Sequence, residues 1–170
     1  MKLIKPSFEI LSHDESTING IYKAIEIAGR NCYKSEDKIT DQSCIDFVDR
    51  MIKSGHGAML EHGTVYLKIE KCSPMKDMDY FRKMDIVRRY KNNKYSKVVE
   101  YTEDHYGYIY YITTNYRVII ENEWDTDLQY LCAQEDRHEK RVMVRIITDN
   151  GILREFTRHR VFSFAVESTR

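Results

Sequence analysis

Val65, Leu67 and Ile69 alternate with Tyr66, Lys68 and Glu70, the period-two pattern of a strand with one buried face. Such a strand needs an apolar cover, and the residues before it offer one. After Ser16, the positions Ile18, Ile21, Ile25 and Ala28 step by three or four, the spacing of one helix face, and Gly29 predicts the stop. Ile45, Val48, Met51 and Ile52 predict a second helix, with Asp41 or Ser43 as cap and Gly55 as stop. Residues 3–10 read as an opening extended segment interrupted by Pro6. Beyond the strand, the polar stretch 71–105 predicts a short helix from Asp79 to Val87 and then a mobile loop or hairpin. Tyr108 to Ile112 is strand-like, and Val118 to Leu131 reads as a helix with Trp124, Leu128 and Leu131 inward. Arg141 to Thr148 alternates through Val142, Val144 and Ile146; Asp149-Asn150-Gly151 signals a turn, and Ile152, Phe156 and His159 return to helical spacing. Strands in this order need not be parallel, so the chain reads as α+β, a mixed or antiparallel sheet flanked by helices.

At 170 residues the chain is most simply one domain, 1–170. Lys plus Arg equals Asp plus Glu at 27 each, without the basic excess of a general nucleic-acid binder, so any phosphate site must be local. No apolar run approaches the roughly 20 residues that span a bilayer. Cys32, Cys44, Cys72 and Cys132 stand singly, and the opening Met1-Lys2-Leu3-Ile4-Lys5 lacks a long apolar run, so reduced thiols in the cytoplasm are expected. A nucleophilic thiol needs a cationic or helix-N-terminal setting. Only Cys32, in Arg30-Asn31-Cys32-Tyr33-Lys34, has flanking cations, and all four read as structural or incidental.

Two polar clusters stand out. From Arg158 to Arg170 the chain gathers Arg158, His159, Arg160, Ser163, Glu167, Ser168, Thr169 and Arg170, guanidinium forks and hydroxyls that can both donate to phosphate oxygens. If 152–160 is helical, Arg154 and Arg158 share one face and Glu155 and His159 its neighbour. The plain alternative is a solvated helix end whose cations complement the helix dipole. The second cluster, Gly55 to Gly63, holds three glycines, His56, His62 and Glu61. Its spacing matches neither HExxH nor a Cys/His finger, which argues against a metal. A ligand-binding loop with close backbone approach and a loop histidine without a role both remain open. Asn115-Tyr116-Arg117 reads as a helix start capped by Asn115.

Arg158-His159-Arg160, seven residues, then Ser168-Thr169-Arg170 resembles the signature of the flavin-dependent thymidylate synthases. His56-Gly57-Ala58-Met59-Leu60-Glu61-His62 resembles a second block of that family and Ala28-Gly29-Arg30-Asn31-Cys32-Tyr33 a third, in the same order. The resemblance covers most of 15–70 and 142–170, and 71–141 reads as an insertion. It implies that family's fold and the reductive methylation of dUMP to dTMP. The carbon comes from 5,10-methylenetetrahydrofolate, with FAD as hydride carrier and NADPH as reductant, in a homotetramer with shared active sites and no partner in nucleic acid or membrane. Carried over by position, His56, Ala58, Glu61, Arg158, His159 and Arg160 would line the FAD site. Glu155, Arg158, Glu167, Ser168, Thr169 and Arg170 would hold dUMP. No enzyme cysteine attacks the pyrimidine in that family. Ala58 stands where a hydroxyl is common, Glu155 where an amide is common, and Ala165-Val166 where a polar pair is common. Family members continue past this point to helices with further FAD contacts and a pyrimidine-activating arginine, so a C-terminally shortened form with an incomplete fold, weak ligand binding and impaired turnover is expected. The reading from another class is a non-catalytic nucleotide-binding or assembly module that keeps the phosphate grip.

Overall fold

The structure is a computed structural model that describes residues 5–12, 14–74, 77–103, 107–159 and 161–167. The order of elements is β1 (Ser7–Leu11), α1 (Ile18–Tyr33), α2 (Ser43–Lys53), α3 (Gly57–Leu60), β2 (Thr64–Cys72), α4 (Tyr80–Lys91), β3 (Lys97–Glu103), β4 (Gly107–Asn115), α5 (Tyr116–Glu121), β5 (Met143–Ile147) and α6 (Asn150–Phe156). Short 3-10 turns at Glu36–Lys38 and Asp125–Tyr130 complete it. All strand pairs among the described residues are antiparallel: β2-β4-β3 form one sheet and β1-β5 another. The α+β class and the flanking helices expected from the sequence are both present.

The alternating strand is β2, and Val65, Leu67 and Ile69 are fully buried in a core shared with Ile21 and Ile25 of α1 and Phe47, Val48 and Met51 of α2. Its other face is drier than the alternation implies. Tyr66 is also fully buried, because its hydroxyl accepts from the Arg141 backbone N–H (3.0 Å) and its ring lies 5.0 Å from that of His138. His138 is itself buried with both ring nitrogens engaged. Nδ1 accepts from the Glu135 N–H (3.1 Å), so Nε2 carries the proton and donates to the Leu67 carbonyl (3.2 Å). The segment 71–141, read as an insertion, supplies β3 and β4, two strands of the larger sheet, and Ile86, Val87, Tyr90 and Ile112 of its core. The polar stretch there resolves as the hairpin alternative, β3 pairing with β4 from Lys97↔Thr113 to Glu103↔Gly107.

Several local expectations are corrected. Helix α1 passes through Gly29 and ends at Tyr33, with Lys34 taking the left-handed conformation (φ 51°). Gly29 is a packing residue: a Cβ there would lie 2.4 Å from Cζ of Phe47 on α2. Neither Asp41 nor Ser43 caps α2; Gln42 occupies that position, and Ser43 Oγ accepts from Thr40 N–H (2.8 Å) and donates to the buried Glu26 (2.9 Å). Ile18 and Ile45, counted in the inner faces, are exposed. The helix expected over 118–131 breaks at Glu123 (φ 58°), after which buried Asp127 draws the 3-10 turn inward by accepting from Arg89 and from the Tyr90 hydroxyl. Asp149 does not open a turn but caps α6, accepting from Gly151 and Ile152 N–H groups at 2.8 and 3.0 Å. Helix α6 ends at Phe156, so Arg154 and Arg158 do not continue one helical face. The Thr157 hydroxyl donates to the Arg154 carbonyl (3.1 Å), a local bond that competes with further helix. Val144 and Ile146 are exposed although their strand alternates, because β5 pairs with β1 alone and not with the larger sheet.

Gly29→Ala should therefore destabilise the protein by about 1–3 kcal/mol, since the added methyl overpacks the α1–α2 contact. Urea denaturation of the two proteins measures this, and equal midpoints would show that Phe47 moves away without cost.

Candidate functional site

Two of the blocks that carry the family resemblance meet at the end of α1, and the spacer of the third, 161–167, crosses them. Helix α1 ends at Tyr33 and places its hydroxyl 3.0 Å from Nδ1 of His56, the residue before α3. Helix α3 turns Met59 and Leu60 into the core, which leaves Ala58 exposed and Glu61 and His62 half-buried at its end. Segment 161–167 crosses this surface with two fastenings. Ser163 Oγ donates to Glu61 Oε2 (2.8 Å), and Glu167 pairs with Lys34 (2.9 Å).

The other oxygen of Glu61 accepts from Arg117 Nη1 (2.7 Å), on α5, and Arg117 Nε donates to Glu121 (2.7 Å). Those two carboxylates, Glu121 first, hold the guanidinium above its ordinary range. Asn115 caps α5 as expected, its side chain accepting from the Val118 N–H (3.0 Å), and so aims Arg117 at the loop. His62 is pushed below its ordinary value by burial, against Glu61, which acts to raise it. Its Nε2 is buried without a protein partner. Beside it opens a cavity of about 440 Å³ with mostly apolar walls, including Ile27 and Asn31 of α1, Val144 of β5, Phe156 of α6 and Phe164. The volume falls in the range of small-molecule and cofactor sites.

Arg158 and His159 are exposed and lie apart from these contacts. Arg158 pairs with Glu155 (3.0 Å), and His159 stacks edge-on to Phe162 at 6.4 Å. Glu167 pairs with Lys34. Arg160, Ser168, Thr169 and Arg170 lie outside the described residues. All four cysteines are free thiols. Burial pushes Cys72 and Cys132 up to about 11 and raises Cys44, which leaves them protonated and poorly nucleophilic near neutrality. Among the described residues no group of three His, Cys, Asp or Glu side chains could hold a metal ion, and no helix is long and apolar enough to cross a membrane.

Sequence reading missed Arg117, Lys34 and the cavity position of His62. Lys34 follows the Ala28–Tyr33 block directly and was within reach of the motif. Arg117 had no such signal, because its partner on the loop, Glu61, lies 56 residues away, and its trio with Asn115 and Tyr116 reads locally as a cap. Comparison with protein-family models, curated proteins and solved structures finds no match to this chain.

Burial lowers both His62 and His138 below the ordinary 6.5, so the unfolded chain binds protons that the folded chain resists. Stability should be fully present above pH 6.5 and fall as pH drops below it. Urea denaturation at successive pH values tests this; His138→Gln should flatten part of the slope, and a wild-type profile level below pH 6.5 would contradict it.

Proposed function

We propose that this chain has the chemistry of a flavin-dependent thymidylate synthase: reductive methylation of dUMP to dTMP with 5,10-methylenetetrahydrofolate, FAD and NADPH. The observation that carries the reading is convergence. Tyr33 of one block touches His56 of another, and the spacer inside the signature is fastened beside them, Ser163 to Glu61 and Glu167 to Lys34, the residue after the Ala28–Tyr33 block. Unrelated resemblances of short motifs have no reason to meet in space.

The residues present fit a flavin nucleotide. The cavity beside His62 offers apolar walls of a size suited to a ring system. Arg117 and Lys34 supply cations at the seam, Arg117 paired with Glu61 and Glu121 and Lys34 with Glu167. His56, Ala58, Glu61, Arg158, His159 and Arg160 are assigned to FAD, and Glu155, Arg158, Glu167, Ser168, Thr169 and Arg170 to dUMP. When bound, FAD supplies the hydride that completes the methyl group. The chain's own part is to bind, orient and exclude water. Glu61 is held by two partners and cannot swing freely. The protonated cysteines suit a route without a covalent enzyme thiol.

A homotetramer with shared sites is part of the proposal, and two features support it. Arg158 and Glu155 are exposed and pair only with one another among the described contacts, as expected of residues that face a ligand held by a neighbouring subunit. Phe8, Ile10, Val144 and Ile146 lie on one exposed face of the β1-β5 sheet, an apolar patch of the kind that oligomer contacts cover.

Arg158→Ala should weaken dUMP or FAD binding by about 1.5–3 kcal/mol through loss of a charge-assisted hydrogen bond. Equilibrium titration with each ligand measures it. Unchanged affinity for both removes Arg158 from the site. If the unaltered chain binds neither FAD nor dUMP and forms no dTMP with the full set of co-substrates, the proposed chemistry fails.

A further inference from the structure

We propose that Arg117, supplied by the segment 71–141, is a positioning residue that couples the glycine-rich loop to the signature tail, so that this segment holds the two in register. The inference rests on the flavin and dUMP reading for its consequence, and on the contacts alone for its mechanics. Glu61 divides its carboxylate between two partners, Oε1 to Arg117 Nη1 (2.7 Å) and Oε2 to Ser163 Oγ (2.8 Å). Glu121, one turn further along α5, accepts from Arg117 Nε (2.7 Å) and holds the guanidinium plane in place. The chain of contacts Glu121–Arg117–Glu61–Ser163 thus runs from α5 through the loop to the tail.

Arg117 is placed from two sides. Tyr116 N–H donates to the Gly63 carbonyl (2.8 Å), which docks the start of α5 on the end of the loop. Gly57 leaves room for the guanidinium, since a Cβ there would lie 2.9 Å from Arg117 Nε. The bidentate use of Nη1 and Nε on two carboxylates is a geometry that arginine's fixed fork provides and lysine's single ammonium does not. Without the guanidinium, the Glu61 carboxylate loses its charged partner and is free to turn to solvent, which releases Ser163. The tail then keeps the exposed Lys34–Glu167 pair. That pair fastens the tail to the end of α1 and leaves the loop uncoupled from it.

The test uses the full chain and reads two things, amide hydrogen exchange at 57–63 and 161–167, and FAD affinity. Arg117→Met should speed exchange in both segments and weaken FAD binding, each about tenfold, while the midpoint of global unfolding stays close to wild type. Arg117→Gln, similar in size without charge, carries the same expectation and serves if the Met variant does not fold. Arg117→Lys restores a charge to Glu61 and should recover part of both losses, which a merely space-filling role would not produce. Ser163→Ala should loosen 161–167 and leave 57–63 protected. Unaltered exchange at 161–167 in the Met and Gln variants overturns the inference. Coupling lost as expected, in a chain whose wild type takes up no FAD, supports the relay and overturns the flavin reading instead.

Discussion

The pairing of β2 with β4 sets the rest of the molecule. Its register begins with Thr64 opposite Asn115 and runs inward to Ile69 opposite Tyr110. Because both strands start or end at that first pair, the loop that enters β2 and the helix that leaves β4 are forced side by side. Tyr116 N–H reaching the Gly63 carbonyl is the first consequence, and Arg117 reaching Glu61 is the second. A slip of one residue would turn Val65, Leu67 and Ile69 out of the core, so the same apolar burial that stabilises the sheet also fixes the polar seam. Core packing and site geometry are thereby one constraint.

The polar groups inside this frame are satisfied in ways that restrict what each can do. His138, locked between two backbone groups, stays neutral and supports β2 from its outer face. Glu26 ties α1 to α2 through Arg30 and Ser43. Asp127 gathers Arg89 and the Tyr90 hydroxyl beneath Trp124. These carboxylates serve the scaffold. His62 Nε2 is buried without a protein partner, as Arg89 Nε and Thr113 Oγ1 also are, and of these residues His62 is the one that lines the cavity. That contrast separates the seam from the other polar clusters of the fold.

Much of the scaffold was legible in the residue pattern. Ile21 and Ile25, Val48 and Met51, and Val65, Leu67 and Ile69 all lie where their spacing puts them, because periodic burial is a local signal. Gly29 was misread because a glycine can end a helix or admit a neighbouring ring, and only the approach of Phe47 decides which. Glu123 in a left-handed turn broke an expected helix without any glycine or asparagine at that position to announce it. The motif residues named the neighbourhood of the site, yet its connections were not readable. Glu61 and Ser163 are 102 positions apart and Glu61 and Arg117 are 56 apart, and nothing in a single sequence reports such pairs. Residues 71–141, read as an insertion because the family resemblance skips them, furnish two strands of the larger sheet.

The central claim is that loop, helix end and tail form one flavin-nucleotide site. It is tested most directly by the visible absorption of the purified chain before and after addition of FAD, followed by removal of free flavin. A flavin band that co-elutes with the protein, is released on denaturation and shifts when dUMP is added is the predicted result. A colourless protein whose thermal unfolding ignores both FAD and dUMP would contradict it.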